Sequence, residues 1–85
     1  MPRVAIKIYG RVQNVGFRYA AREKAEKWGV VAAPRNEPDG SLFIEAEAAS
    51  AQALEKFIAW CRKGPWSAKV ERMEVVGPEP TPDHL

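Results

Sequence analysis

Cysteine and histidine are almost absent from this 85-residue chain, which contains one of each. Because Cys61 has no second cysteine to pair with, an internal disulfide and a cysteine-rich metal site are both excluded, and we expect a protein of the reducing cytoplasm. His84 is the penultimate residue of a proline-rich end, where nothing is expected to hold it in a fixed geometry. Acid–base or nucleophilic chemistry that depends on histidine is therefore not predicted.

Long apolar segments and a strong excess of charge are also missing. No apolar run approaches the roughly 20 residues of a membrane span, and the first residues lack the apolar core of a signal peptide, so we expect no membrane association. Lysine and arginine number 13 against 11 acidic residues, which leaves a net charge of +2. Such a small net positive charge does not predict nucleic-acid binding, but it is compatible with a small anionic ligand.

What the sequence does contain is a clear succession of strand-like and helix-like segments. Apolar residues alternate in the strands and recur every three or four residues in the helices. The predicted elements are a strand that ends at Gly10, a helix over Phe17–Trp28, an edge strand over residues 30–35 that tolerates Pro34, a strand over residues 41–48, a helix capped by Ser50 and stopped at Gly64, and a bulged strand over residues 69–76.

The order of these elements predicts an α+β domain with the ferredoxin-like β-α-β-β-α-β fold. Two helices would cover one face of a four-stranded antiparallel sheet with strand order four, one, three, two. We expect this domain to occupy residues 1–77 and to be followed by a proline-rich tail over residues 78–85. The aromatic residues Trp28, Phe57 and Trp66 are predicted to lie in the core or at its edge.

The loop between the first strand and the first helix has the character of an anion site. It carries Gly10 and Gly16 and leads into a helix, where free backbone N–H groups and the helix dipole favour negative charge. Arg18 follows at once, and its planar guanidinium can bind two phosphate oxygens together. A nucleotide is not indicated, because the loop lacks the Gly-Lys-Ser/Thr ending of a Walker sequence.

The same loop resembles the signature of the acylphosphatase family, Gly-x-Val-Gln-Gly-Val-x-Phe-Arg. The matching residues are Gly10, Val12, Gln13, Val15, Phe17 and Arg18, and the one departure is Asn14 in place of glycine. A second block, residues 35–41, resembles the Arg-Asn-x-x-Asp-Gly hairpin of that family at the family's spacing. The resemblance covers essentially the whole chain before the tail.

The resemblance implies an enzyme that hydrolyses the carboxyl–phosphate bond of acyl phosphates without metal or cofactor. It implies that Arg18 and Asn36 are catalytic, with Asn36 orienting the attacking water, and that the phosphate-binding residues are Gln13, Asn14, Val15, Gly16, Phe17 and Arg18. The partners expected are a small acyl phosphate or inorganic phosphate, with no nucleic acid, no membrane and a monomeric chain.

Two departures from the family pattern keep alternatives open. Asn14 tolerates a left-handed backbone better than other non-glycine residues, so the loop is expected to keep its shape. Residues 32–34, Ala-Ala-Pro, replace the family's glycine, aromatic and valine beside Asn36, which favours a catalytically weakened relative as one alternative. Another is a ferredoxin-like RNA-binding module, with Tyr9 and Phe43 on the open face of the sheet, although Glu45 and Glu47 argue against it.

Overall fold

A computed structural model describes residues 1–77 of the chain; the predicted tail, residues 78–85, lies outside the described residues and includes His84. Six elements follow one another in the predicted order: β1 (Arg3–Arg11), α1 (Phe17–Trp28), β2 (Val30–Asn36), β3 (Leu42–Ala48), α2 (Ala51–Lys63) and β4 (Lys69–Val75). No helix within residues 1–77 combines the length and the apolar character needed to cross a membrane.

The four strands form one sheet in the order β2-β3-β1-β4, and every neighbouring pair is antiparallel. The predicted ferredoxin-like topology is thus confirmed, with β2 at an edge. Since β1 and β2 both run antiparallel to β3, they are parallel to each other, and their carboxyl ends lie at the same end of the sheet. The β1–α1 loop and Asn36 are brought to that end.

The boundary of each of the four strands differs from the prediction by one residue. β1 does not end at Gly10 but continues to Arg11, because Arg11 pairs with Lys69. Tyr9 pairs with Arg72 and Gly10 pairs with Val70. Glu71 is the extra residue of a β-bulge in β4, as the broken alternation of that strand predicted. A side chain at position 10 would collide with the backbone of this bulge at Lys69 and Glu71, which explains the glycine.

The hydrophobic core lies between the helices and the inward face of the sheet. α2 inserts Phe57, which is fully buried and contributes about 1.5–3 kcal/mol of stabilisation. The other core residues include those that the alternation and the helical spacing assign inward: Val4, Ile6, Ile8, Phe17, Ala21, Ala25, Leu42, Ile44, Ala46, Ala48, Leu54 and Cys61.

One aromatic prediction is wrong. Trp28 packs against the edge of the core and Phe57 lies inside it, but Trp66 in the α2–β4 loop is 97% exposed. Trp66 lies in the short loop between the end of α2 at Lys63 and the start of β4 at Lys69, and so belongs to no helix or strand. An apolar side chain in such a loop has no layer to pack against.

Candidate active site

An open hollow of about 250 Å³ lies where the β1–α1 loop meets the end of β2. It brings together Arg18 and Asn36, which are 18 positions apart in the sequence. Gln13 and Val15, although predicted to bind phosphate, do not line it with the other loop residues. The lining residues are Val12, Asn14, Gly16, Phe17, Arg18, Tyr19, Arg22 and Asn36.

The backbone of the β1–α1 loop turns sharply at two left-handed residues. Asn14 has a φ of 61° and Gly16 a φ of 80°, whereas Val15 between them does not have a positive φ. Asn14 therefore adopts the conformation expected from its tolerance of this region. In turns that contain left-handed residues, successive N–H groups can point toward one side and form an anion-binding concavity.

The N-terminus of α1 is left without a cap from the protein. Gly16 occupies the N-cap position and offers no side-chain hydrogen bond, and the first turn of α1 contains no acidic residue. By contrast, the Ser50 hydroxyl at the start of α2 accepts a hydrogen bond of 3.1 Å from the Ala53 N–H. The free N–H groups and the positive dipole end of α1 are thus available to an anion in the hollow.

Among residues 1–77, the charged side chains that line the hollow are all cationic. Arg18 and Arg22 are one helical turn apart on the same side of α1, and no acidic residue of this range lines the hollow. The ion pairs found in residues 1–77 join Lys7 to Asp39, Arg35 to Glu37 and Arg72 to Glu74, so both arginines are left without a carboxylate partner there.

Three lining residues were missed by the sequence analysis: Val12, Tyr19 and Arg22. A signal for Arg22 was present, because positions four apart on a helix share a face and Arg18 was already assigned to the site. Tyr19 is 69% exposed and carried no such signal.

Asn36, the last residue of β2, lines the hollow. Its Oδ1 is buried, and among residues 1–77 it is the one buried side-chain oxygen or nitrogen without a hydrogen-bond partner. An unpartnered buried polar atom costs about 1–3 kcal/mol, which is uncommon in a folded protein without a functional reason. The amide oxygen is consequently not tied to another protein group.

Gln13 joins the β1–α1 loop to the hairpin that carries Asn36. Its Nε2 donates to the carbonyl of Glu37 at 2.8 Å and to the carbonyl of Ser41 at 2.9 Å. The two segments that resemble the family signature are therefore held together by this one side chain. Its role in the observed geometry is to fix the distance between the loop and β2.

The β2–β3 hairpin is braced further by Asp39. Its Oδ1 accepts from the hydroxyl and the backbone N–H of Ser41, and its Oδ2 lies 3.1 Å from the Lys7 ammonium. The hydrogen bonds from Ser41, followed by that from Lys7, lower the pKa of Asp39 from 3.8 to about 2. The hydrogen bond to Asp39 in turn raises the pKa of Lys7.

The remaining reactive groups offer no alternative chemistry in the hollow. Cys61 is buried in the core, and burial raises the pKa of its thiol, which keeps it protonated and unreactive. Within residues 1–77 no three side chains of histidine, cysteine, aspartate or glutamate lie together as a metal would require. The hollow can thus bind an anion through N–H groups and arginines, and can position a small polar molecule through an amide.

Comparisons with known proteins point to one family. The family model described as Acylphosphatase matches residues 4–84. An acylphosphatase of Thermococcus kodakarensis is 42% identical over 78 residues, which cover 92% of this chain and 85% of that protein. One from Lactiplantibacillus plantarum is 45% identical over 85 residues, covering 99% and 93%. The crystal structure of acylphosphatase from Bacillus subtilis superposes with a TM-score of 0.82 at 35% identity, covering 88% of this chain and 82% of that one.

Proposed function

The chain belongs to the acylphosphatase family and is an enzyme that hydrolyses acyl phosphates, and we propose that Arg18 and Asn36 perform this reaction in the hollow. The observation that carries the proposal is the uncapped N-terminus of α1, which lies at a hollow lined by Asn36 and by Arg18, an arginine with no carboxylate partner among residues 1–77. The products are a carboxylate and inorganic phosphate.

The phosphate is held by the backbone of the Gln13–Arg18 loop and by the Arg18 guanidinium. Negative charge is spread over the three equatorial oxygens in the transition state, and N–H groups that are already oriented stabilise it without reorganisation. Arg18 adds a charged, two-pronged contact to two of these oxygens. No carboxylate from residues 1–77 lines the hollow, and this supports the assignment, because an acidic neighbour would neutralise the arginine.

Asn36 positions the attacking water. Its amide can donate to the water oxygen through Nδ2, since Oδ1 is buried, but it cannot take up a proton, so it orients the nucleophile and does not deprotonate it. The water oxygen forms a bond to phosphorus, while the bond between phosphorus and the acyl oxygen breaks and its electron pair leaves on the carboxylate. One water proton passes to a phosphate oxygen and the other stays on the attacking oxygen.

The nature of the leaving group explains why so few residues suffice. A carboxylate is a weak base and departs without protonation, so the site requires no general acid. The protein has only to stabilise the charge on the phosphoryl oxygens and to orient the attacking water, and the hollow has groups for both.

The test is the metal-free hydrolysis of a simple aryl acyl phosphate by the purified chain and by Arg18→Ala, with chelator present. We expect Arg18→Ala to reduce turnover about 10²–10³-fold, the usual cost of a lost transition-state donor. Arg62→Ala is the matched control, because Arg62 is an exposed arginine in the last turn of α2. Undiminished turnover in Arg18→Ala would contradict the proposal. Phosphate binding without turnover in the parent would favour the weakened relative.

An RNA-binding role is less well supported by the sheet surface. Tyr9 and Phe43 do lie on the open face, but Arg72 stacks 4.1 Å from the Tyr9 ring centroid and Arg35 lies 4.5 Å from that of Phe43. Cations of the chain itself therefore cover the ring faces that nucleic-acid bases would need. The cytoplasmic location and the monomeric state remain predictions from the sequence.

A further inference from the structure

The α2–β4 loop, residues 64–68, contacts the β1–α1 loop. The Ser67 hydroxyl donates a hydrogen bond of 2.6 Å to the backbone carbonyl of Val15, and the two groups are partly buried. These residues are 52 positions apart, so the contact depends on the completed fold. The catalytic scheme above makes no use of it.

The geometry of a trans peptide gives this contact a consequence. The C=O of Val15 and the N–H of Gly16 belong to one planar unit and point in opposite directions. When Ser67 draws the Val15 carbonyl to one side, the Gly16 N–H must face the other. Gly16 lines the hollow, whereas Val15 does not.

This peptide could also adopt the reverse orientation. A flip rotates ψ of Val15 and φ of Gly16 together, and glycine accepts either sign of φ at little cost. The flipped form would turn a carbonyl oxygen, with its partial negative charge, toward the anion. Gly16 therefore permits the left-handed turn of the loop, but it does not by itself favour the peptide orientation that binds phosphate.

We propose that Ser67 is a positioning residue that selects the phosphate-binding orientation of the Val15–Gly16 peptide. The inference rests on the proposed function, since it names a further residue on which the same phosphate loop depends. Ser67 acts through Val15 and does not touch the substrate. Serine suits the task because its hydroxyl is a donor, which the Val15 carbonyl requires.

The loop that carries Ser67 is itself held in place. The Ala68 N–H donates to the Pro65 carbonyl at 2.9 Å, which closes a turn around Ser67. At its start, Gly64 lies directly against the Phe17 ring, where a Cβ would come within 2.7 Å of Cε2. Because the loop is held on both sides of Ser67, the Ser67 hydroxyl can fix the orientation of the Val15 carbonyl that accepts its hydrogen bond.

The experiment follows inorganic phosphate binding to the full chain by the amide signal of Gly16 in nuclear magnetic resonance, together with KM and kcat for an aryl acyl phosphate. The variants are Ser67→Ala, Ser67→Thr, which retains the hydroxyl, and Ser67→Cys, a weak donor of nearly the same size that remains informative if alanine impairs folding. Ser50→Ala is the matched control, because it removes a serine hydrogen bond at the start of α2.

We expect Ser67→Ala to weaken phosphate binding about fivefold, the effect of one ordinary hydrogen bond, and to reduce the phosphate-induced shift of the Gly16 amide. Ser67→Thr should restore both, Ser67→Cys should fall between, and Ser50→Ala should lower stability while leaving phosphate affinity unchanged. An unaltered affinity and Gly16 shift in Ser67→Ala would overturn the inference, as would an equal loss of affinity in Ser50→Ala. If phosphate failed to shift the loop amides of the parent, the proposed function would fail with it.

Discussion

Replacing Gly64 with alanine should strain the junction that holds Phe17 at the start of α1. Gly64 has φ 73° and ψ −177°, a combination almost restricted to glycine that costs other residues about 1–3 kcal/mol. A Cβ there would lie 2.7 Å from Cε2 and 3.1 Å from Cζ of Phe17. The ring cannot yield easily, because it is buried and packs edge-on against Trp60 with centroids 5.5 Å apart. Overpacking of this kind adds about 1–3 kcal/mol.

The two contributions together predict a loss of about 2–6 kcal/mol in the free energy of unfolding. At about 4–8 °C per kcal/mol for a domain of this size, the Tm should fall by about 10 °C or more. Urea and thermal unfolding followed by circular dichroism would measure both quantities.

Gly29→Ala provides the matched control for this substitution. Gly29 also has a positive φ, 71°, but a Cβ there would meet nothing within 4 Å. We expect Gly29→Ala to lower the free energy of unfolding by about 1–2 kcal/mol, the cost of placing alanine in a left-handed backbone conformation. If Gly64→Ala and Gly29→Ala lost the same stability, the argument that Gly64 is required by its contact with Phe17 would be refuted.

Two further perturbations test the hairpin and the charge of the hollow. The folded-state pKa of Asp39, about 2, lies below its ordinary 3.8, so the ionised Asp39 stabilises the fold above about pH 4 and this stabilisation is lost as the pH falls toward 2. The Tm of the parent should therefore drop more steeply over this range than the Tm of Asp39→Asn. Parallel plots of Tm against pH would contradict the role given to the hydrogen bonds between Asp39 and Ser41. Arg22→Glu should weaken phosphate binding about fivefold at low salt and less at 0.5 M salt, because Arg22 attracts the phosphate through its charge and salt screens that attraction. A loss of affinity that does not depend on salt would contradict this role of the Arg22 charge.

Much of the fold could be predicted because the central strands β1 and β3 each bury one face. The alternation of Val4, Ile6 and Ile8 assigns the inward residues of β1, and that of Leu42 and Ile44 does the same in β3. Local conformational preference identified two further features, the left-handed backbone of Asn14 and the broken alternation of β4. These are properties of neighbouring residues, which a sequence displays directly.

The contacts that shape the site could not be predicted in the same way. Gln13 binds carbonyls of the β2–β3 hairpin 24 and 28 positions away, and Ser67 reaches Val15 across 52 positions. Each contact depends on how elements pack in three dimensions, and neither residue carries a periodic pattern that would reveal it. Trp66 illustrates the same limit, since its apolar character is evident but its place outside the two layers is not.

The division of work between the phosphate loop and Asn36 is tested most directly by one variant, Asn36→Ala, measured for both inorganic phosphate affinity and turnover of an aryl acyl phosphate. The account predicts phosphate affinity within about twofold of the parent, because the loop N–H groups and Arg18 remain, and turnover about 10²–10³-fold lower, because the water has lost its positioning amide. Undiminished turnover would contradict the role of Asn36. A loss of phosphate affinity as large as the loss of turnover would contradict the assignment of phosphate binding to the loop and Arg18 and of water positioning to Asn36.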